Sequence, residues 1–357
     1  MSAAAPAWAK RESVRTRVTG RLLSWETGLA ILTVTLILFA VATTPGFGDG
    51  YNLESSLSRM AAKALLVLPL VPLIIAREID ISVASIAALS GIAMAMATEA
   101  GASTMVAILA ALGTGLACGA VNAYFVILGL PSLIVTLGTL AMFRGLCYVL
   151  VGGTPVSEVS PWLLDYSFSD LPRTYIPYNV VPFVILAVIA WIVLHATPFG
   201  RQVFAIGGNP GTARYAGVPR SRVLAALFLS SGSVAAVAGI VHTGLNSSAS
   251  PDALLGFELD AVTVVFLGGV SFLGGIGRMS GVMWALACVV ALRSMLQLQN
   301  VGAYGQSAVI GVLLITSLLA SNSVDSVSRR LRTRRQARLL SQPSIESPEE
   351  DQQGRVP

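Results

Sequence analysis

Apolar stretches, each about as long as a membrane-crossing helix, alternate with short polar segments along almost the whole chain. Ten of them approach the ~20 residues that an α-helix needs to cross the hydrocarbon of a bilayer. The pattern therefore predicts an all-α, polytopic membrane protein with about ten transmembrane helices, some of them broken or kinked by internal prolines. The ten stretches are Gly28–Thr44, Met60–Ala76, Ile81–Ala97, Met105–Leu128, Ser132–Val151, Val180–His195, Val223–Val241, Leu259–Gly275, Gly281–Leu298 and Ala303–Ala320.

The apolar middle of the chain is flanked by polar ends. Residues 28–320 are expected to form one transmembrane domain, preceded by a cytoplasmic segment over residues 1–27. Residues 321–357 begin with an arginine-rich run and end in acidic residues, which predicts a partly disordered cytoplasmic tail. Residues 40–42 (Ala-Val-Ala) fit a signal-peptidase site, but the long apolar stretch around them favours a retained first span.

Composition narrows the class of protein further. Only 11% of the residues are charged and 54% are hydrophobic, whereas a soluble domain has about 25% charged residues. These values exclude a water-soluble enzyme and a disordered chain. The three cysteines, Cys118, Cys147 and Cys288, lie inside apolar stretches without metal-site spacing and are expected to be small buried residues.

The distribution of basic residues predicts the orientation in the membrane. With ten spans and a cytoplasmic N-terminus, 18 of the 23 basic residues fall in cytoplasmic segments, in accord with the positive-inside rule. We therefore expect both termini in the cytoplasm. The basic residues outside these segments are Arg59, Lys63, Arg144, Arg173 and Arg293.

The sequence lacks the residues that catalysis would need. The two histidines, His195 and His242, lie at span ends and belong to no metalloprotease or hydrolase motif. Neither lysine, Lys10 or Lys63, follows a glycine, so the chain has no phosphate-binding Walker loop. We expect no enzyme activity, no metal site and no cofactor, and no nucleic-acid module is present.

Polar residues that interrupt apolar spans are candidates for a solute pathway. Asp80 and Ser82 lie in either a tight cytoplasmic turn or the polar end of a discontinuous membrane helix. Asn122, Thr136 and Arg144 lie within later spans. Because an intramembrane charge is costly, Arg144 is expected to face protein or water. It either snorkels outward or forms a structural pair, or else it lines the pathway.

Two acids open the eighth apolar stretch. Glu258 and Asp260 would lie at the positive end of a helix dipole, which is a sufficient structural reason for them. Alternatively, they accept hydrogen bonds from a polyhydroxylated solute at the outer mouth of a pathway.

The longest loop predicted inside the cell spans residues 197–222. It combines glycine hinges with a short helix-forming stretch, Thr212–Ala216. Such a loop is typical of a docking element for a cytoplasmic partner, and a loop that lies on the lipid surface is the alternative.

Four motifs follow one another along the chain. They are Ile79-Asp80-Ile81-Ser82-Val83, Val135-Thr136-Leu137-Gly138-Thr139 with Arg144-Gly145, Gly200-Arg201-Gln202 through Gly207-Gly208-Asn209, and Glu258-Leu259-Asp260-Ala261. In this order they resemble the motifs of one family, the ribose-type monosaccharide ABC transporter permeases, which include ribose, xylose, rhamnose and autoinducer-2 permeases. The resemblance runs from about Gly46 to Ala320.

The resemblance implies a permease subunit of a bacterial importer in the cytoplasmic (inner) membrane. Its partners would be a cytoplasmic ATP-binding subunit, an extracytoplasmic sugar-binding protein, a second permease subunit of the same or a different kind, and the lipid bilayer. The ATPase-coupling loop would be marked by Arg201, Gly207, Gly208, Asn209, Ala213 and Gly217.

The sequence departs from the family pattern at Glu78, Ala84, Gly211, Arg278 and the pair Arg293-Ser294. These departures concern details of ATPase docking and helix packing. Two other hypotheses compete with an importer, namely an ion- or proton-coupled secondary transporter and a membrane scaffold without transport. The first would need carboxylates deep in the spans, and the predicted spans carry their acids only at the ends. The sequence does not specify which sugar is carried.

Overall fold

The chain divides into two units, Met1–Leu314 and Ile315–Pro357. The computed structural model describes residues 25–313 and 315–316, so the description below concerns the first unit. Within the described residues the secondary structure is helical apart from two isolated bridges, which confirms the predicted all-α fold class. The predicted tail over residues 321–357 and nearly all of the predicted segment over residues 1–27 lie outside the described residues.

Thirteen α-helices and one short 3₁₀ helix follow one another in the described part of the chain. We number them α1 Trp25–Thr43, α2 Gly50–Ile75, α3 Val83–Glu99, α4 Thr104–Ile127, α5 Ser132–Val151, α6 Pro161–Phe168, the 3₁₀ helix Tyr178–Val180, α7 Val181–Ala196, α8 Pro198–Gly208, α9 Pro210–Tyr215, α10 Arg220–Asn246, α11 Phe257–Leu267, α12 Met279–Leu298 and α13 Ala303–Leu313.

Seven of the helical segments in the described residues are long and apolar enough to cross a membrane. They contain α1, α2, α4, α5, α7, α10 and α12. Two shorter apolar helices, α3 and α13, coincide with two more of the ten predicted spans. The structure therefore confirms a polytopic membrane protein, and within the described residues seven of the ten predicted spans are helices long enough to cross a membrane.

The predicted eighth span, Leu259–Gly275, is wrong as a continuous helix. Helix α11 has 11 residues and ends at Leu267, too short to cross a bilayer at 1.5 Å per residue. The chain then turns through Gly269, Gly274 and Gly275, whose φ angles of 83°, 74° and 73° are readily adopted only by glycine. The apolar stretch is thus a short helix followed by a glycine-rich loop.

Contacts between helix ends define two sides of the helical bundle. On one side, which we call the α9 side, the Trp25 indole donates to the Leu267 carbonyl at 2.9 Å and His195 caps α12 by accepting from the Met279 amide. On the opposite side, the α6 side, Val156 and Ala249 form a two-residue bridge. Every long helix runs between these two sides.

The centre of the bundle is formed by α2, α3, α4 and α10. Most of α2 is buried although it contains Pro69 and Pro72, as expected for a membrane helix whose neighbours satisfy the freed carbonyls. Helices α4 and α10 approach so closely that a Cβ atom on Gly232 would lie 2.1 Å from the Gly115 carbonyl oxygen, and one on Gly119 would lie 2.5 Å from the Phe228 carbonyl oxygen. Small residues therefore allow this pair of backbones to pack directly.

A larger side chain at this crossing should destabilise the bundle. We expect Gly232→Val to lower the free energy of unfolding by about 1–3 kcal/mol, because the branched side chain would have to displace backbone of α4. Thermal stability in detergent, followed by size-exclusion chromatography, measures the effect. Gly113→Ala on α4 is the matched control, since its Cβ meets nothing within 4 Å, and equal stability of the two variants would contradict this account of the packing.

Candidate functional site

The helical chain is broken at residues 76–82, between α2 and α3, and this α2–α3 break contains the deepest polar site of the bundle. Asp80 is fully buried there. One carboxylate oxygen accepts from the Ser82 amide at 3.0 Å and from the Ser82 hydroxyl at 2.6 Å. The other accepts from the Ser231 hydroxyl of α10 at 2.8 Å. The carboxylate is therefore held by three donors from two parts of the chain.

Helices α4 and α5 complete this network. The Asn122 amide donates to the Ser82 hydroxyl at 2.8 Å and its carbonyl oxygen accepts from Thr139 at 2.7 Å. Thr136 donates to the backbone carbonyl of Ile79 at 3.2 Å. Asp80, Ser82, Asn122 and Thr136, which the sequence proposed as pathway residues, thus converge on one buried cluster.

Two members of the cluster were missed by sequence reasoning. Ser231 lies in an apolar span, where a serine carries little signal, and Ser132 begins α5 and accepts from the Ile79 amide at 3.1 Å. A buried carboxylate needs donors from its neighbours, so Asp80 could have prompted a search for hydroxyls on other spans. Nothing in the sequence identified α10 as the neighbour.

The predicted inner loop is two short helices, α8 and α9, rather than one helical stretch at Thr212–Ala216. Thr197 caps α8 by accepting from the Gly200 amide, and Asn209 caps α9 by accepting from the Thr212 amide at 3.1 Å. Each cap is followed by a proline at the first helical position. This cap-and-proline pattern is a start signal for helices that the sequence analysis overlooked.

The α8–α9 segment is attached directly to the α2–α3 break. The Arg77 guanidinium donates to the Gly207 carbonyl at 2.6 Å and to the Gly208 carbonyl at 3.0 Å. A Cβ on Gly207 would lie 1.7 Å from the Ile75 carbonyl oxygen, so only glycine fits there. Beyond the segment, Arg220 at the start of α10 forms a salt bridge of 2.8 Å with Glu78 of the break.

The loop after α11 joins the same contact. The Gly275 amide donates to the Ile75 carbonyl at 2.8 Å, and a Cβ on Gly275 would lie 2.7 Å from the Gly208 Cα. Arg77 itself has a φ of 67°, a conformation that is uncommon outside glycine. The end of α2, the end of α8 and the glycine loop therefore meet backbone to backbone.

The sequence-predicted coupling residues divide by their environment. Gly207 and Ala213 are buried in the contacts that hold the segment in place, whereas Arg201, Gly208, Asn209 and Gly217 are exposed. Gly217 has a φ of 77° and lies just after the end of α9. An open groove of about 360 Å³ runs along α9 between Ile206 and Arg220. Beside it Tyr215 is 95% exposed.

Arg144 lies apart from the Asp80 cluster, on the α6 side. Its guanidinium donates to the backbone carbonyls of Pro251 and Ala253, in the segment that leads from α10 to α11. The side chain is 9% exposed. Arg144 thus holds a returning segment of backbone, which is the structural pairing that the sequence left open.

The two acids of α11 are also separate from the Asp80 cluster. Asp260 forms a salt bridge with Arg293 of α12, and the Lys63 amino group of α2 lies 3.9 Å from the ring centre of Phe257. One carboxylate oxygen of Glu258 is buried without a hydrogen-bond partner among the described residues. The seven proposed pathway residues therefore occupy three places, namely the Asp80 cluster, the Arg144 contact and the α11 acids.

Membrane-length helices, a buried polar break and a pair of short helices attached to that break define a membrane transport protein of the permease class. In the described residues no group of three His, Cys, Asp or Glu side chains could hold a metal ion. The chain belongs to the family described as the permease component of branched-chain amino acid transport systems, whose model matches residues 52–318.

Curated relatives cover most of the chain. The ribose import permease protein RbsC of Bacillus subtilis is 32% identical over 80% of this chain and 88% of the relative. Autoinducer 2 import system permease proteins LsrD are 34% identical in Escherichia coli K12, over 82% of this chain and 90% of the relative, and 32% identical in Photorhabdus laumondii, over 84% and 92%. No solved structure matches the chain significantly. The relatives confirm the ribose-type sugar permease family that the motifs indicated.

Replacement of the Asp80 carboxylate by an apolar group should destabilise the protein. We expect Asp80→Leu to cost about 3 kcal/mol or more, because the Ser82 amide and the hydroxyls of Ser82 and Ser231 would lose their acceptor in a buried site. Asp80→Asn retains acceptors and should cost less. Thermal unfolding in detergent tests the order, with Asp165→Leu on the exposed helix α6 as the control, and wild-type stability of Asp80→Leu would contradict it.

Proposed function

We propose that this chain is the membrane-spanning permease subunit of an ATP-driven importer for a monosaccharide or a similar small polyhydroxylated solute. The family and the relatives support this proposal over an ion-coupled transporter. The observation that carries it is the direct attachment of the α8–α9 segment to the α2–α3 break through Arg77, Gly207 and Gly208. A loop fixed in this way transmits movement from a partner into the helices.

The α8–α9 segment is the docking element for a separate ATP-binding subunit. Its groove and the exposed Tyr215 offer a partner both a recess and an aromatic anchor, which are the features that dominate protein interfaces. Displacement of the segment would act on the break through the contact of Gly207 with Arg77, and through the following Arg220 of α10, which pairs with Glu78. ATP-driven movement would thereby reach the Asp80 cluster and alternate access across the bundle.

If the α8–α9 segment docks a cytoplasmic subunit, the orientation of the protein in the membrane and its other partners follow. The α9 side faces the cytoplasm and the α6 side faces outwards, where a sugar-binding protein delivers the solute. Both chain termini then lie in the cytoplasm, in agreement with the distribution of basic residues. A second permease subunit, identical or related, completes the pathway in the bacterial cytoplasmic membrane.

The proposed pathway residues have different roles in this scheme. The break is held as one unit by Asp80, Ser82, Asn122 and Thr136. Their polar groups form hydrogen bonds with one another and with the backbone of the break. Arg144 fixes the segment before α11. Glu258 and Asp260 place a third polar group of the proposed pathway on α11, where Asp260 pairs with Arg293.

The assay for the proposed function is uptake by the assembled importer. The chain is co-expressed with the ATP-binding subunit encoded beside it, purified, and reconstituted in liposomes with sugar-loaded binding proteins. Stimulated ATP hydrolysis together with sugar uptake is the expected result. Failure to co-purify with any ATP-binding subunit, in the presence of candidate partner permeases, would overturn the proposal.

Truncation of Tyr215 should weaken the binding of the ATP-binding subunit. Tyr215→Ala removes an exposed aromatic side chain from α9 without affecting the bundle, so we expect affinity to fall about tenfold or more. Tyr304→Ala is a matched control, because Tyr304 is equally exposed, at 95%, on α13. Affinity is measured by titration of the purified subunits in nanodiscs. Equal affinities for the two variants would exclude α9 as the docking helix.

A further inference from the structure

A second polar site of the bundle, separate from the Asp80 cluster, carries more positive than negative charge. Lys63 lies near the middle of α2, about 18–20 Å from either end of the helix. Arg293 of α12 and Asp260 of α11 face it, and Asp260 is paired with Arg293. Two cations thus share one carboxylate, and we call these three residues the cation site.

Lys63 makes a cation–π contact that stabilises its charge only partly. Among the described residues its amino group has no hydrogen bond or ion pair, and it lies over the face of Phe257. The Arg293 guanidinium lies 5.4 Å from the centre of the same ring. Lys63 is partly rather than fully buried, and its cation–π contact contributes about 0.5–2 kcal/mol. With two cations and one carboxylate, the site carries a net positive charge that an anion would neutralise.

Arg293 gives an independent sign that the site can accept an anion. Its side chain is 10% exposed, and its Nε atom is buried without a hydrogen-bond partner in the described part of the chain. Buried donors of a charged group are nearly always paired in folded proteins. Because Asp260 satisfies only one edge of the guanidinium, a further acceptor would complete the site.

A cavity leads towards the cation site from the α6 side. It has a volume of about 360 Å³, within the range of small-molecule sites. Its lining is mostly apolar, and its polar residues, Asn52, Ser56 and Ser294, form one hydrogen-bonded group of neutral side chains. Met60 and Leu286 line both this cavity and the narrow cleft at the cation site.

We propose that the transported solute is acidic, a sugar bearing a carboxylate or phosphate group, and that Lys63 and Arg293 bind this anionic group during transport. The inference rests on the proposed function and specifies the substrate class. The hydroxyl groups of the sugar would contact Asn52, Ser56 and Ser294. Its anionic group would pass the side chains of Met60 and Leu286 to reach Lys63 and Arg293. The cleft of about 20 Å³ has room for about one water, so side chains that line it would have to move for the anion to enter.

The test uses the complete importer in liposomes with its ATP-binding subunit and binding protein. The probes are neutral aldoses (ribose and glucose), sugar acids (gluconate and galacturonate) and a hexose phosphate. Affinity of the binding protein for each probe is measured separately, so that its selectivity is not attributed to the permease. Separate sugar-acid and phosphate probes distinguish the two possible sources of the anion.

We expect uptake of an acidic probe, and Lys63→Gln should lower that uptake about 10- to 100-fold, the loss expected for hydrogen bonds to a charged group. Lys63→Arg should retain most of it, because the charge is kept. Arg173→Gln, on an exposed position of the α6 side, is the control for a general loss of positive charge. If Lys63→Gln does not fold, Lys63→Met replaces it in the uptake measurement, because methionine also has an unbranched side chain.

Two results would overturn the inference and are distinguishable. ATP-dependent uptake of a neutral aldose that is unchanged in Lys63→Gln would show that the cation site is structural, and the proposed importer would stand. A chain that co-purifies with no ATP-binding subunit would remove the proposed function itself.

Discussion

The backbone contact between the end of α2 and the end of α8 is the constraint on which the rest of the structure depends. The Ile75 carbonyl accepts from Gly275 and lies so close to Gly207 that no side chain fits between them. Arg77 then donates across the contact to two carbonyls of α8. Because backbone meets backbone here, the α8–α9 segment has little freedom to move without moving α2 and the break that follows it.

The polar residues of the break extend this constraint into the bundle. Asp80 binds α10 through Ser231, while Asn122 and Thr136 bind the break to α4 and α5. A buried carboxylate held by three donors is costly to disturb, so these helices are expected to move with the break as a unit. The Lys63 and Arg293 site lies outside that unit, on the faces of α2 and α12 that meet α11. A division between a rigid unit and a short helix beside it is suited to alternating access.

The sequence predicted the all-α membrane fold and the polar residues, because apolar stretches and intramembrane polar groups are local signals. It also identified Asp80, Ser82, Asn122 and Thr136 as polar residues of interest. It did not show that they form one cluster, because hydrogen bonds between helices that are distant in sequence produce no recognisable residue spacing. The eighth span failed because Leu259–Gly275 is predominantly apolar, and only the positive φ angles at its glycines show that the helix ends early. Lys63, one of the five basic residues outside the cytoplasmic segments, was not recognised as a neighbour of Asp260 and Arg293, because α2, α11 and α12 are brought together only by the fold.

The central claim is that the Arg77 contact transmits the movement of the ATP-binding subunit to the transport pathway. The most direct test is the number of solute molecules imported per ATP hydrolysed in the reconstituted importer carrying Arg77→Met. This variant removes the donors to Gly207 and Gly208 while leaving the exposed docking surface of α9 unchanged. We predict that the ATP-binding subunit still binds and hydrolyses ATP but that import per ATP falls about tenfold or more, because the loss of two charge-assisted hydrogen bonds loosens the contact that transmits the movement. An unchanged ratio in a correctly assembled complex would contradict the claim.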